Sequence, residues 1–297
     1  MSSRNGRHRA AIFGCASTSL SDAERRLFAD ADPLGFILFK RNCTDPGQVR
    51  ALTAELRESV GRRDAPILID QEGGRVARLR PPHWSELPRA ASLGSLYAAD
   101  RTAGLKTAWL LGRVTASELA DLGIDVNCAP VLDVLAPAAA SDIIGDRAYG
   151  SDPADVAALG RAYRNGMAAG GVLAVVKHIP GHGRADADSH FELPVVRASA
   201  AQLEAVDLVP FRELADSPMA MTAHVLYPAW DPDRPATTSE IIVREIIRGR
   251  IGFDGLLLSD DLSMQALDGS LAERTAASLG AGCDVVLHCN GRIDEMA

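Results

Sequence analysis

The chain has no apolar run approaching the roughly 20 residues that span a bilayer, so a transmembrane anchor is not expected. It has no Cys-x-x-Cys pair and no HExxH, which removes the commonest zinc and redox frameworks. Its five cysteines, Cys15, Cys43, Cys128, Cys283 and Cys289, form an odd set, and three of them sit in apolar runs. That pattern predicts buried thiols in a reducing cytoplasm rather than a disulfide scaffold. Lysine is scarce, the net charge is −8 and the arginines are scattered, so no basic stripe exists for a nucleic acid or an anionic membrane. The partner this leaves is a small, neutral molecule. The opening "MSSRNGRHRAAIFGCAST" resembles a secretory leader, but its apolar run barely reaches the lower limit of about 7 residues and equally suits a first core strand.

What the chain does contain is 47% apolar residues in 297, enough for one large core and a single domain over 1–297. Short apolar runs recur at 10–15, 35–39, 66–70, 124–131, 172–178, 219–225, 255–261 and 284–289, each followed by a stretch of helical periodicity. Runs that are apolar throughout suit parallel strands covered by helices on the outside. Eight β-α units at this length predict an α/β fold, a single-domain (β/α)8 TIM barrel. An open doubly wound sheet is the alternative, but no Gly-x-Gly-x-x-Gly follows the first run. Asp152 with Pro153 should start one helix, and Thr237 with Glu240 form a capping box for another. The segments 61–64 and 136–141 read as loops. The last helix is expected to be truncated or absent, because the sequence stops shortly after the eighth run.

In such a barrel the chemistry gathers at the C-terminal ends of the strands. Those ends are polar here: Asp70, Lys177-His178, His224, Ser259-Asp260-Asp261, and His288 with Asn290. A strand can end on a polar residue merely because a loop begins there, but five of eight doing so points to a site. The loop 179–196 follows "VVKH" and reads "IPGHGRADADSHFELPVV". Asp188 and His190 are two apart, so in an extended segment they share a face, and the carboxylate can hold one ring nitrogen of a proton-transferring imidazole. Gly181, Gly183 and Pro180 let the loop fold over a ligand. His178, His182, Asp188 and His190 are also metal-ligand types, but no helical spacing gathers them and Lys177 adds positive charge, so no metal or other cofactor is expected. Asp260 follows three leucines and is the candidate nucleophile, a fixed carboxylate able to form a glycosyl ester. Asp261 should point elsewhere and support the strand.

Several segments together resemble glycoside hydrolase family 3, in particular its bacterial single-domain β-N-acetylhexosaminidases: "GFILFKRN" (35–42), "ILIDQEGGRVARL" (67–79), "GDRAYGSDP" (145–153), "VVKHIPGHGRADADSH" (175–190), "MTAHVLYPAWD" (221–231) and "GFDGLLLSDDLSM" (252–264). The resemblance implies that Asp260 is the nucleophile and His190 the acid/base, assisted by Asp188. It also implies that Asp70, Arg147, Lys177 and His178 bind the terminal sugar, with His178 donating to a hydroxyl. Glu72 and Arg75 would support the loop, and His224 would not be catalytic. The expected activity is a retaining exo-β-N-acetylglucosaminidase acting as a monomer on a small carbohydrate or muropeptide of cell-wall recycling. A family 3 glucosidase, a phosphorolytic variant and a non-catalytic sugar-binding barrel are the alternatives.

Overall fold

A computed structural model of the protein describes residues 8–136, 143–189 and 191–297; His190 and nearly all of the predicted 136–141 loop lie outside them. Ten strands follow in chain order: β1 (Arg9–Gly14), β2 (Pro33–Leu38), β3 (Ile67–Ile69), β4 (Gln71–Gly73), β5 (Val76–Ala77), β6 (Val126–Asn127), β7 (Leu173–Ile179), β8 (Met219–Thr222), β9 (Leu256–Asp261) and β10 (Val285–His288). Eight of them, all paired in parallel, close a barrel in the order β1-β10-β9-β8-β7-β6-β3-β2. The seam joins first to last, with Ile12 beside Leu287, which rules out an open doubly wound sheet. All eight predicted runs are barrel strands, the first of them, 10–15, falling in β1. Among the described residues no helix is long and apolar enough to cross a membrane.

The barrel interior is packed with side chains from one parity of each strand, among them Ile12, Ile37, Leu68, Val175, Leu258 and Leu287. Because side chains alternate along a strand, the next residue of the same parity, two positions on, emerges at the C-terminal mouth. That residue is Asp70 above Leu68, Lys177 above Val175, and Asp260 above Leu258. The periodicity of the core thus aims three charged groups at one point.

Helix Pro153–Ala169 begins as predicted: Asp152 accepts from the N–H of Ala154 and Asp155, and Pro153 opens the helix. The capping box at Thr237 and Glu240 does not form. Ser239 takes the capping position, its Oγ accepting from Ile242 N–H at 3.1 Å, while Thr237 turns inward to bond Thr222 and His224. After β10 comes a four-residue helix, Ile293–Met296.

The hairpin β4–β5 is absent from the sequence reading, which takes "DQEGGRV" as a plain loop. Gly73 and Gly74 turn it with φ of +104° and +55°. Gln71 fixes its width: Oε1 accepts from the N–H of Arg78 and Leu79, and Nε2 donates to the Leu79 carbonyl. The hairpin folds Arg78 back over Asp70 and carries Glu72 into the mouth of the barrel.

Candidate active site

The mouth holds a cavity of about 310 Å³ bordered by Asp70, Glu72, Arg78, Arg147, Lys177, His178, Asp188 and Asp260. Its floor is a chain of alternating charges. Arg78 donates to Asp70 at 2.9 Å, and Lys177 Nζ reaches both Asp70 at 2.8 Å and Glu72 at 2.7 Å. Arg147 grips Glu72 with two N–H groups, at 2.9 and 2.8 Å, a bidentate pairing that fixes the plane of the guanidinium. Arg147 Nη2 then approaches His178 Nε2 at 3.4 Å, and His178 Nδ1 lies 2.7 Å from Asp133.

Each charge in this chain is kept by its neighbours. Burial alone would raise the Glu72 carboxyl, but Arg147 and Lys177 outweigh it and bring it down to about 2. Asp70 is likewise held well below the usual carboxylate range against burial, by Lys177 and Arg78. Lys177 is held above its ordinary value despite burial, by Asp70 and Glu72. Removing one member would strand a buried opposite charge, which costs about 3–5 kcal/mol.

Asp260 differs from these carboxylates. Burial raises its pKa, yet the fields of His224, His178 and Lys177 and the Asp261 N–H, at 2.8 Å, keep it below normal and ionised. No side-chain cation among the described residues forms an ion pair with it, so its charge remains available to the cavity. Asp261 also borders the cavity, but its carboxylate is engaged by the N–H of Ser263 and Cys289 and by Ser263 Oγ.

Not every polar strand end reaches the cavity. Leu287 and Cys289 line it, so His288 between them faces outward and meets Glu295 at 3.0 Å, as does Asn290 at 2.6 Å. Ser259 is turned away by the same parity and accepts from Leu287 N–H. His224 is buried, bonded to Thr237 and the Asp261 carbonyl. His178 is off parity with Lys177 yet shares the cavity, because the register of β7 against β8 slips between Lys177 and Ile179. Its Nε2 faces Arg147, which has only donors, so in that contact the nitrogen accepts rather than donates.

The loop after β7 is tied down at its root. Tyr227 Oη donates to the Gly181 carbonyl at 2.7 Å, Asp133 accepts from His182 N–H at 2.7 Å, and Arg184 pairs with Asp207 at 2.7 Å. Gly183 is required because a Cβ there would lie 2.0 Å from the Val134 carbonyl. Further on, Asp188 and Ser189 border the cavity, but the Asp188 carbonyl accepts from the N–H of Phe191 at 3.0 Å and Glu192 at 3.1 Å. The expected pairing of Asp188 with His190 lies outside the described residues. Arg75 braces Asp146 and the carbonyls of Ile143 and Ile144, a supporting role as expected, whereas Glu72 lies in the floor itself. Arg78 and Asp133 are site residues that the sequence reading missed.

Among the described residues no group of three or more His, Cys, Asp or Glu is arranged to hold a metal ion. All five cysteines are free; Cys128 and Cys289 lie in the barrel interior, Cys289 bordering the cavity, and burial pushes both thiols far up.

The model of the glycosyl hydrolase family 3 N-terminal domain matches residues 12–297. A beta-hexosaminidase of Chromobacterium violaceum is 44% identical over 279 residues, covering 93% of this chain and 77% of that protein. One of Aromatoleum aromaticum is 42% identical over 284 residues, covering 94% and 78%. The crystal structure of NagZ from Neisseria gonorrhoeae in complex with N-trifluoroacetyl-D-glucosamine superposes with a TM-score of 0.90 at 39% identity, covering 97% of this chain and 83% of that one. Barrel, charged mouth and kinship converge: the chain belongs to glycoside hydrolase family 3 and is a glycosidase.

Proposed function

We propose that the protein is a retaining exo-β-N-acetylglucosaminidase that works through a covalent glycosyl-aspartate. The observation that carries this reading is the contrast between Asp260 and its neighbours. Asp70, Glu72 and Asp133 are each held by a cationic or imidazole side chain, whereas the Asp260 carboxylate is ionised, fixed by one backbone N–H and turned to the cavity. In the first step an Asp260 oxygen bonds to the anomeric carbon as the glycosidic C–O bond breaks, and His190 gives its proton to the leaving oxygen. In the second, His190 takes a proton from water, whose oxygen displaces Asp260, and configuration is retained. Asp188 assists the histidine.

A cavity of about 310 Å³ suits one terminal sugar ring and little more, which favours an exo-acting enzyme. Asp70, Arg78, Arg147, Lys177 and His178 are the hydrogen-bonding groups available to its hydroxyls and acetamido arm. The N-acetylglucosamine preference rests on the hexosaminidase relatives and on the ligand in the gonococcal structure. Cell-wall muropeptide fragments as the natural substrate rest on the sequence resemblance, and a cytoplasmic location on the five unpaired thiols.

The test is a 5-fluoro N-acetylglucosaminyl fluoride, which keeps the 2-acetamido group, followed by mass spectrometry of peptides. Label on Asp260, together with retained configuration in the released sugar, is the expected result. Label on any other residue, or inverted product, overturns it. A panel of aryl β-glycosides differing only at the 2-position separates hexosaminidase from glucosidase, and sugar-phosphate product in phosphate buffer would reveal phosphorolysis.

A further inference from the structure

Asp133 belongs to no catalytic pair and lies beneath the cavity wall, fully buried, in the segment that leaves β6. Its two oxygens divide their work. Oδ1 accepts from two backbone N–H groups, His178 at 3.2 Å and His182 at 2.7 Å, and Oδ2 takes the His178 ring at Nδ1, 2.7 Å away. One carboxylate therefore joins the end of β7, the root of the loop and the imidazole on the cavity wall.

We propose that Asp133 is a positioning residue that sets the tautomer of His178, so that His178 presents a bare Nε2 lone pair to Arg147 and to a hydroxyl of the bound sugar. A carboxylate can only accept, so Nδ1 must carry the hydrogen. On the other side Arg147 can only donate, which suits a bare Nε2 and opposes a second hydrogen there. Both neighbours of the ring thus select the same tautomer. His178 then acts as an acceptor, and the site demands a ring position bearing O–H. A deoxy or O-methyl sugar at that position cannot donate to this nitrogen and binds more weakly.

Asp133→Asn makes the argument testable without changing the size of the side chain. The amide oxygen must stay with the two backbone N–H groups, so the NH2 is left facing Nδ1. Nδ1 must now accept, the hydrogen moves to Nε2, and an N–H is driven against the donors of Arg147. The lone pair offered to the sugar disappears.

The substrate part of this inference rests on the proposed glucosaminidase reading; the tautomer part does not. The experiment is long-range ¹⁵N NMR of the histidine rings in the unliganded protein at pH 8, with His178 assigned by its absence in His178→Gln. The expected wild-type ring is neutral with hydrogen on Nδ1, switching to Nε2 in Asp133→Asn. A wild-type ring seen as Nε2–H or as imidazolium overturns the proposal, and this measurement needs no variant of Asp133 to fold. In kinetics on an aryl N-acetylglucosaminide, Asp133→Asn should lower kcat/KM by about 10- to 100-fold, mainly through KM. In the His178→Gln background the same change should cost less than about 3-fold. An equal cost in both backgrounds would mean that Asp133 serves only the backbone, and overturns it. If the ring is found as Nδ1–H while no glucosaminide is cleaved, the positioning role stands and the functional reading is the one that fails.

Discussion

The floor of the pocket and the loop beside it solve opposite problems. The floor is built on strand ends, is almost wholly buried, and pairs every cation with an anion. The loop is fixed at its root by Tyr227, Asp133 and Asp207, and returns to the barrel where Val196 N–H meets the Leu226 carbonyl. Between these anchors lie Asp188 at the cavity and Phe191 with its side chain largely in water, 74% exposed. On the proposed mechanism, groups that only hold a sugar gain from the rigidity of the floor, while proton transfer is assigned to the loop.

Four changes test that division, beginning with the largest effect. Asp260→Ala should lower turnover by about 10⁴-fold or more while leaving thermal stability near wild type, because no side-chain cation is left unpaired; loss of fold on this change would show that Asp260 belongs to the floor. Glu72→Gln should do the reverse of sparing the fold, costing about 3–5 kcal/mol in denaturant unfolding because Arg147 and Lys177 lose their shared anion. His190→Ala should harm substrates with poor leaving groups most and activated aryl glycosides least; equal losses on both substrate classes would speak against an acid. Phe191→Ala should shift stability by less than about 0.5 kcal/mol, and a larger loss would mean that the loop tip packs where it now meets water.

The two regions also differ in the sign of their pH response. Glu72 has a depressed folded pKa, so its contribution is complete above about pH 4.5 and is lost as pH falls toward about 2. Asp207, under the loop, is the opposite case. Burial pushes it up to about 6 in spite of Arg184, so the folded protein holds a proton there that the unfolded chain has released. Stability from this group therefore declines as pH rises from about 4 to about 6 and is flat above. Relative to wild type, Asp207→Asn should have a melting temperature more favourable at pH 7 than at pH 4. The same difference at both values would refute the assignment.

The barrel was legible because its strands are apolar on both faces and regularly spaced, and Asp70, Lys177 and Asp260 because each closes such a run. The same rule over-reached at His288 and Asn290, where it ignored parity: Leu287 and Cys289 take the inward positions. It fell short at Asp133, since the fourth run was ended at Val131 and the carboxylate lies two residues further on, a position the rule would have reached if applied to "NCAPVLD". Arg78 left no such signal. Its approach to Asp70 depends on a hairpin made by two positive-φ glycines and the Gln71 side chain, a tertiary arrangement that apolar periodicity does not encode.

One thiol of the barrel interior offers a clock. Cys128 is protonated and walled in by the staves around it, so an alkylating reagent can reach it only when those staves part, whereas Cys289 meets the cavity directly. The pace of Cys128 modification in native buffer would then time the breathing of the barrel, and a sugar lodged in the mouth should slow that clock in proportion to how firmly it braces the staves.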